Sequence, residues 1–320
     1  MSVLENKSEK KGIFKLFNLN RDGKGVYEIE DRTPTFVFFF KLLKRKFTQL
    51  IQLNVLMLFT VIPIIAAIFI YLGSPQSPTA TDVSFAPLYG ISLINTTPSV
   101  AAELDLRSFI MGLPVLSPAT GFILIGLAFF LAVTFGWQNT GAAYVLRGLF
   151  RGDPVFVFSD FFYGIKRNFK QAFFLGLVDF AIIAFLVIDF VFYFFRGGTF
   201  MLDFFFFVTV AMCILYMIMR FYIYQMLITF DLKNINIFKN ALIFTALGIK
   251  RNLMALLGIM FLLLMNAGLI LLLLPLGVTV TLILPLLYLL SFLGFIQTYC
   301  AFPVIDKYMI KPYENQDYRK

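Results

Sequence analysis

Six apolar runs, each long enough to cross a lipid bilayer, decide what this chain can fold into. They lie at about 48–72, 119–146, 172–195, 203–226, 253–274 and 278–303. A spanning helix needs roughly 20 apolar residues, each rising about 1.5 Å. Within lipid the backbone must satisfy its own hydrogen bonds, so such runs fold as helices. The chain is 60% hydrophobic and 14% charged, with 42 Phe among 320 residues. A soluble domain cannot hide that much apolar surface.

The runs come in pairs, and one five-residue word introduces two of the pairs. Gly164-Ile165-Lys166-Arg167-Asn168 returns unchanged as Gly248-Ile249-Lys250-Arg251-Asn252, 84 residues later. Lys44-Arg45-Lys46-Phe47 stands before the first pair and matches Lys166-Arg167-Asn168-Phe169 in type. The pattern predicts an all-α polytopic membrane protein: six transmembrane helices as three sequential hairpins with parallel internal repeats. The hairpins take residues 35–150, 151–230 and 231–306, between tails at 1–34 and 307–320. Parallel repeats imply a pseudo-threefold axis along the membrane normal, with odd spans in one ring and even spans in another.

Charge sets the orientation. Of the 27 Lys and Arg, only Arg107 and Arg196 fall on the outer side. This positive-inside distribution predicts a multi-pass protein of the plasma membrane with both termini cytoplasmic. The first 33 residues are polar and carry both signs of charge, which does not resemble a cleavable signal. Of the outer connections, 73–118 is long, proline-rich and mildly acidic, and reads as an extracytoplasmic cap, either a packed lid or a partner surface. Arg196-Gly197-Gly198-Thr199 and Pro275-Leu276-Gly277 are short turns. On the inner side, Phe158, Phe161, Phe162 and Ile165 form one apolar face after Pro154, and Ile237, Leu242, Ile243 and Leu247 another after Asn236. Both segments read as helices lying in the interface. Phe36 to Phe47 plays the same part for the first hairpin.

Residue types exclude much chemistry. Histidine is absent, and the two cysteines, Cys213 and Cys300, sit inside apolar stretches. Zinc, haem, a disulfide framework and His-based acid/base catalysis are not expected, and neither is any cofactor. Gly23-Lys24-Gly25 lacks P-loop spacing. No nucleic-acid partner is expected. Isolated Asp residues with no neighbouring carboxylate, His or reactive Cys offer no catalytic pairing, so the chain is not expected to be an enzyme.

The intramembrane polar residues are the candidate site. Asp179 lies about 12 Å into the third span, and Arg220 lies in the cytoplasmic half of the fourth. They are expected to pair or to share a hydrated pocket, either as a structural ion pair or as a proton or substrate relay. Asp189, Arg196 and Asp203 gather near the outer end of the second hairpin and are expected to fix its turn. Asn54, Gln138, Asn139, Asn266 and Gln297 are uncharged polar groups in spans, suited to bonding helices together or to touching a substrate. The basic words supply Lys44, Arg45, Lys46, Lys166, Arg167, Asn168, Lys250, Arg251 and Asn252. They suit anionic lipid headgroups, at about 1 kcal/mol per basic residue, or a docking face for a cytoplasmic partner.

Several stretches resemble the YesL family, a domain of unknown function from Gram-positive bacteria. They are Asp22-Gly23-Lys24-Gly25-Val26, then Phe38 to Phe47 leading to Leu53-Asn54 and Pro63, then Gly141 to Arg147 with Arg151-Gly152-Asp153, Phe158 to Phe162 and Asn168 to Ala172, and finally Phe230-Asp231-Leu232 with Lys239 to Leu242. The middle block is the most specific. The loop at 73–118 exceeds the family's usual short connection, and Trp137-Gln138-Asn139-Thr140 stands where the family more often has a Gly-Pro-Ala-Thr turn. The resemblance implies an integral membrane protein, with genes often beside sugar-uptake ABC transporters and polysaccharide-degrading enzymes. It implies no established activity.

The leading expectation is a non-enzymatic accessory subunit of a carbohydrate ABC uptake system, with permease or ATPase subunits or a sugar-binding protein as partners. An autonomous transporter or channel using Asp179 and Arg220 is the alternative, favoured by a hydrated pocket reaching Asp179. A lipid-handling or envelope-homeostasis protein is a third, favoured by an acyl-sized lateral opening floored by the basic words.

Overall fold

The computed structural model describes residues 34–73, 117–196, 198–278 and 280–313. The cap at 73–118 falls almost wholly outside the described residues, as do the 1–33 tail and the end of the C-terminal one. Among the described residues eight α-helices follow one another: α1 (Phe36–Gly73), α2 (Pro118–Arg151), α3 (Val157–Arg167), α4 (Phe169–Arg196), α5 (Phe200–Thr229), α6 (Asn234–Leu247), α7 (Ile249–Leu273) and α8 (Val280–Ile305). Six of them, all but α3 and α6, are long and apolar enough to cross a membrane. Their outer faces are apolar too: Phe59, Phe122, Phe207 and Phe261 are each more than 60% exposed. In water such a surface would drive aggregation; against acyl chains it is the expected face. The chain is a multi-pass membrane protein.

The even spans pack on one another. Helices α2, α5 and α8 touch pairwise, α1 lies against α2 and α8, and α4 lies against α2 and α5. Helix α7 packs on α8 and touches α6. The buried core follows this arrangement, with Leu146, Tyr222, Met226, Phe295 and Ala301 at or below 3% exposure. Helices α2 and α4 come close enough for backbone contact. A Cβ built on Gly176 would strike the backbone of Gly136, and one on Gly136 would strike the carbonyl of Ala172. Small residues one turn apart on each helix permit that approach.

The first interfacial helix expected at Phe36 to Phe47 is not separate. Helix α1 is continuous over 38 residues, about 57 Å, against about 30 Å of apolar bilayer. The reason lies in the corner residues. Lys44-Arg45-Lys46-Phe47 lacks the Gly and Asn of the other two words, so nothing interrupts its hydrogen-bond ladder. Helix α2 likewise runs unbroken through Trp137 to Thr140. There Trp137 stacks on Phe169 at 4.5 Å and donates to its carbonyl at 3.0 Å, fastening α2 to the start of α4.

The two remaining words are helix corners. Helix α3 buries Val157, Phe161 and Gly164 against α2, and α6 buries Ile237, Ala241, Phe244 and Thr245 against α5. Each corner glycine meets a tyrosine of the preceding span. A Cβ on Gly164 would lie 2.7 Å from Tyr144 Cβ, and one on Gly248 would strike the Tyr222 hydroxyl. The asparagines of the words turn inward as well. Asn168 donates to the Gly164 carbonyl at 3.2 Å. Asn252, 1% exposed, donates to the carbonyls of Phe244 and Thr245 and accepts from Tyr222 Oη. Asn252 is thereby buried away from the headgroups, while Asn168 stays half-buried at the groove beside Lys166 and Arg167; each amide bonds a carbonyl at the end of a short helix. Asn252→Ala strands the Tyr222 hydroxyl and removes the side-chain donor from the Thr245 carbonyl, while the Phe244 carbonyl keeps the Gly248 N–H, and should cost about 2 kcal/mol. Thermal melts in mild detergent, paired with Tyr222→Phe in a double-mutant cycle, test this. A loss below about 0.5 kcal/mol, or strict additivity, sinks it.

Candidate functional site

Asp179 is fully buried on α4, where a lone carboxylate would be costly. Helix α5 answers it with three donors spaced four residues apart. Tyr216 Oη donates to it at 2.8 Å, Tyr224 Oη at 2.6 Å and Arg220 Nε at 3.2 Å. The closest approach of the guanidinium nitrogen to the carboxylate is 3.0 Å. A four-residue spacing puts all three on one helix face. The Arg220 guanidinium also stands 5.3 Å from the ring centroid of Phe135 on α2, a cation–π distance. Three spans therefore meet at one charge pair.

Beside this pair lies a cavity of about 220 Å³ between α2, α5 and α8, with Met57 of α1 at its edge. Its polar lining is Asn139, Arg220, Tyr224, Gln225, Gln297 and Thr298. Its apolar lining includes Leu146, Phe221, Leu290 and Leu293. Asp179 does not line the cavity, but two of its partners, Arg220 and Tyr224, do. Gln225 is 4% exposed and donates to Thr298 Oγ1 at 2.9 Å, while its own Oε1 has no partner. Asn139 Nδ2 is spent on the Phe135 carbonyl one turn back. The cavity sits in the half of the bundle nearer the basic corners, with Arg220 nine residues, about 14 Å, before the end of α5.

The other polar span residues lie elsewhere. Gln138 reaches the Leu56 carbonyl at 3.5 Å and leaves Oε1 unpartnered. Asn266 accepts from Tyr288 Oη at 2.7 Å and so joins α7 to α8. Asn54, 0% exposed, spans the Leu286 carbonyl and the Ser291 N–H of α8 at 2.6 and 3.1 Å, just past Pro285. Asp189 stands ten residues beyond Asp179 and apart from the cavity. Among the described residues no ion pair joins it to Arg196. Instead Arg196 lies over the Phe192 ring, and Asp203 accepts from the Gly198 N–H. The turn is held by Asp203 and by Gly198, whose φ of 123° suits glycine.

Several residues of the site escaped the sequence reading. Tyr216 and Tyr224 were signalled only by their spacing around Arg220. Arg147 on α2 donates to the Ile228 carbonyl and to Thr229 Oγ1, closing the basic end of α5. No spacing rule joins residues so far apart in sequence.

The basic groups sit at surface grooves. Lys166, Arg167 and Lys170 border one beside Phe230 and Asp231, and Lys250 and Arg251 border another beside Asp306 and Lys307. Lys44 and Arg45 are exposed on α1, with Lys46 half-buried. A wider groove between α1 and α3, about 1150 Å³, has Val55, Leu56, Phe158 and Phe162 on its walls and Lys166 at one edge.

Set against protein-family models, curated proteins and solved structures, the chain matches none.

Proposed function

We propose that this chain is a non-enzymatic accessory subunit of a carbohydrate ABC uptake system in a bacterial plasma membrane, with both termini cytoplasmic. The resemblance to the YesL family supplies the sugar-uptake context. One structural observation supports a docking role: α3 and α6 each pack an inner face on the preceding span and leave an outer face exposed beside basic residues. Phe158, Phe162, Leu242 and Ile243 are 41–67% exposed, next to exposed Lys166, Arg167 and Lys250. By the positive-inside distribution this end faces the cytoplasm, where an ATPase or the inner face of a permease is met. Anionic lipid headgroups share these lysines and arginines, with acyl chains in the groove between α1 and α3.

Pull-down from a membrane expressing the neighbouring genes tests the reading. Permease or ATPase chains should co-purify stoichiometrically in mild detergent. Replacing Lys166, Arg167, Lys250 and Arg251 with Gln should lower that recovery about tenfold, on the order of 1.4 kcal/mol, without lowering the melting temperature. Recovery of the protein alone removes the accessory role.

The cavity favours a second reading, passage of a solute through the chain itself. It places Arg220 and Tyr224, which hold Asp179, at a polar space inside the bundle. Flux into liposomes that is abolished by Arg220→Gln would establish that reading in place of the first.

A further inference from the structure

We propose that the cavity between α2, α5 and α8 is a binding site for a small, neutral, polyhydroxylated solute. Size sets the first limit. About 220 Å³ holds on the order of seven waters at roughly 30 Å³ each, and bonded atoms pack closer than waters. A compact solute of four or five carbons fits.

Charge sets the second limit. The charges at the cavity cancel, because Arg220 lies 3.0 Å from Asp179. An added anion or cation would leave a net charge inside the membrane, which is costly. A cation would in addition face the guanidinium first, since Asp179 stands behind it. An uncharged solute avoids both penalties.

Hydrogen-bonding capacity sets the third. Among the described residues, Arg220 uses only Nε on Asp179, so its two terminal nitrogens remain as donors. Asn139 keeps Oδ1 as an acceptor, and Gln297 keeps its whole amide. Gln225, more than nine-tenths buried, also lines the cavity, with its amide nitrogen held on Thr298. Donors and acceptors thus stand side by side on three helices. A hydroxyl both donates and accepts, so a run of hydroxyls meets this lining better than an all-acceptor or all-donor group. Leu146, Phe221, Leu290 and Leu293 offer the apolar wall that the carbon chain of such a solute needs.

The inference requires binding only, and stands whether or not a permease or ATPase co-purifies. The full chain in lipid nanodiscs, in equilibrium dialysis with radiolabelled erythritol, tests it. Saturable binding near one erythritol per chain is expected, displaced by unlabelled erythritol and not by the anion threonate or the cation choline. Gln297→Leu, which keeps side-chain volume and removes both polar atoms, should weaken binding about tenfold or more. Asn139→Ala should do the same, and carries the test if Gln297→Leu melts lower than the unaltered chain. Absence of saturable binding, equal displacement by threonate or choline, or unchanged affinity in whichever variants stay folded would overturn the proposal and leave the cavity to water.

Discussion

Asp179→Asn lowers the stability of the folded bundle by about 3 kcal/mol or more, the largest loss expected from any single polar substitution in this chain. The carboxylate accepts from Tyr216, Arg220 and Tyr224 at once. An amide cannot neutralise the guanidinium, so Arg220 is left as an uncompensated charge inside the membrane. Breaking one partner of such a pair costs far more than removing both. The double variant Asp179→Leu with Arg220→Met should therefore recover more than half of the loss. Tyr216→Phe and Tyr224→Phe should each cost about 2 kcal/mol, the net worth of one hydrogen bond to a charged group. Membrane abundance and melting in mild detergent measure all four. If Asp179→Asn melts with the unaltered chain, the pair does not carry the charge, and the cavity beside it loses its neutral wall.

Gly176→Val abolishes the contact between α2 and α4, with loss of the folded species from gel filtration. The Cβ of residue 176 would land on the backbone of Gly136, and backbone cannot rotate away as a side chain can. The helices must separate, and with them go the Trp137–Phe169 stack and the positions of Phe135 and Asp179. The cost should exceed about 3 kcal/mol, at or beyond the upper end for overpacking, because two whole helices move. Gly294→Ala is the control. Its Cβ would meet only Leu146 Cδ1, the end of a flexible side chain, at 2.8 Å. It should cost less than about 1.5 kcal/mol. Equal melting of Gly176→Val and the unaltered chain would mean that the two helices do not approach as described.

Much of the site is legible in the sequence. Asp179 and Arg220 stand out because charges are rare in spans and each sits well inside one. Their meeting follows from the antiparallel run of neighbouring helices. The tyrosines that complete the site were hidden because a tyrosine in a span is ordinary. Only the buried carboxylate between them makes Tyr216 and Tyr224 polar partners rather than membrane aromatics. The asparagines of the repeated word were misleading for the opposite reason. Basic neighbours made Asn168 and Asn252 look alike, yet Asn252 is buried with its amide on the Thr245 carbonyl while Asn168 stays half-buried beside the basic groove. The bond from Asn54 to α8 crosses more than 230 residues, and no local pattern announces such a partner.

What the sequence by itself determined is the number of membrane-spanning helices, their approximate extents and the concentration of basic groups near one set of helix ends. These depend on the length and polarity of contiguous segments, which a bilayer reads one segment at a time. What only the tertiary structure decided is which helices touch. Lipid tails are as apolar as the helices, so hydrophobicity does not choose the neighbours. Close packing at Gly136 and Gly176, the tyrosines against Gly164 and Gly248, and the bonds to Asp179, Asn252 and Asn54 make that choice. The cavity between α2, α5 and α8 exists because those contacts hold three polar helix faces near one another without letting them close.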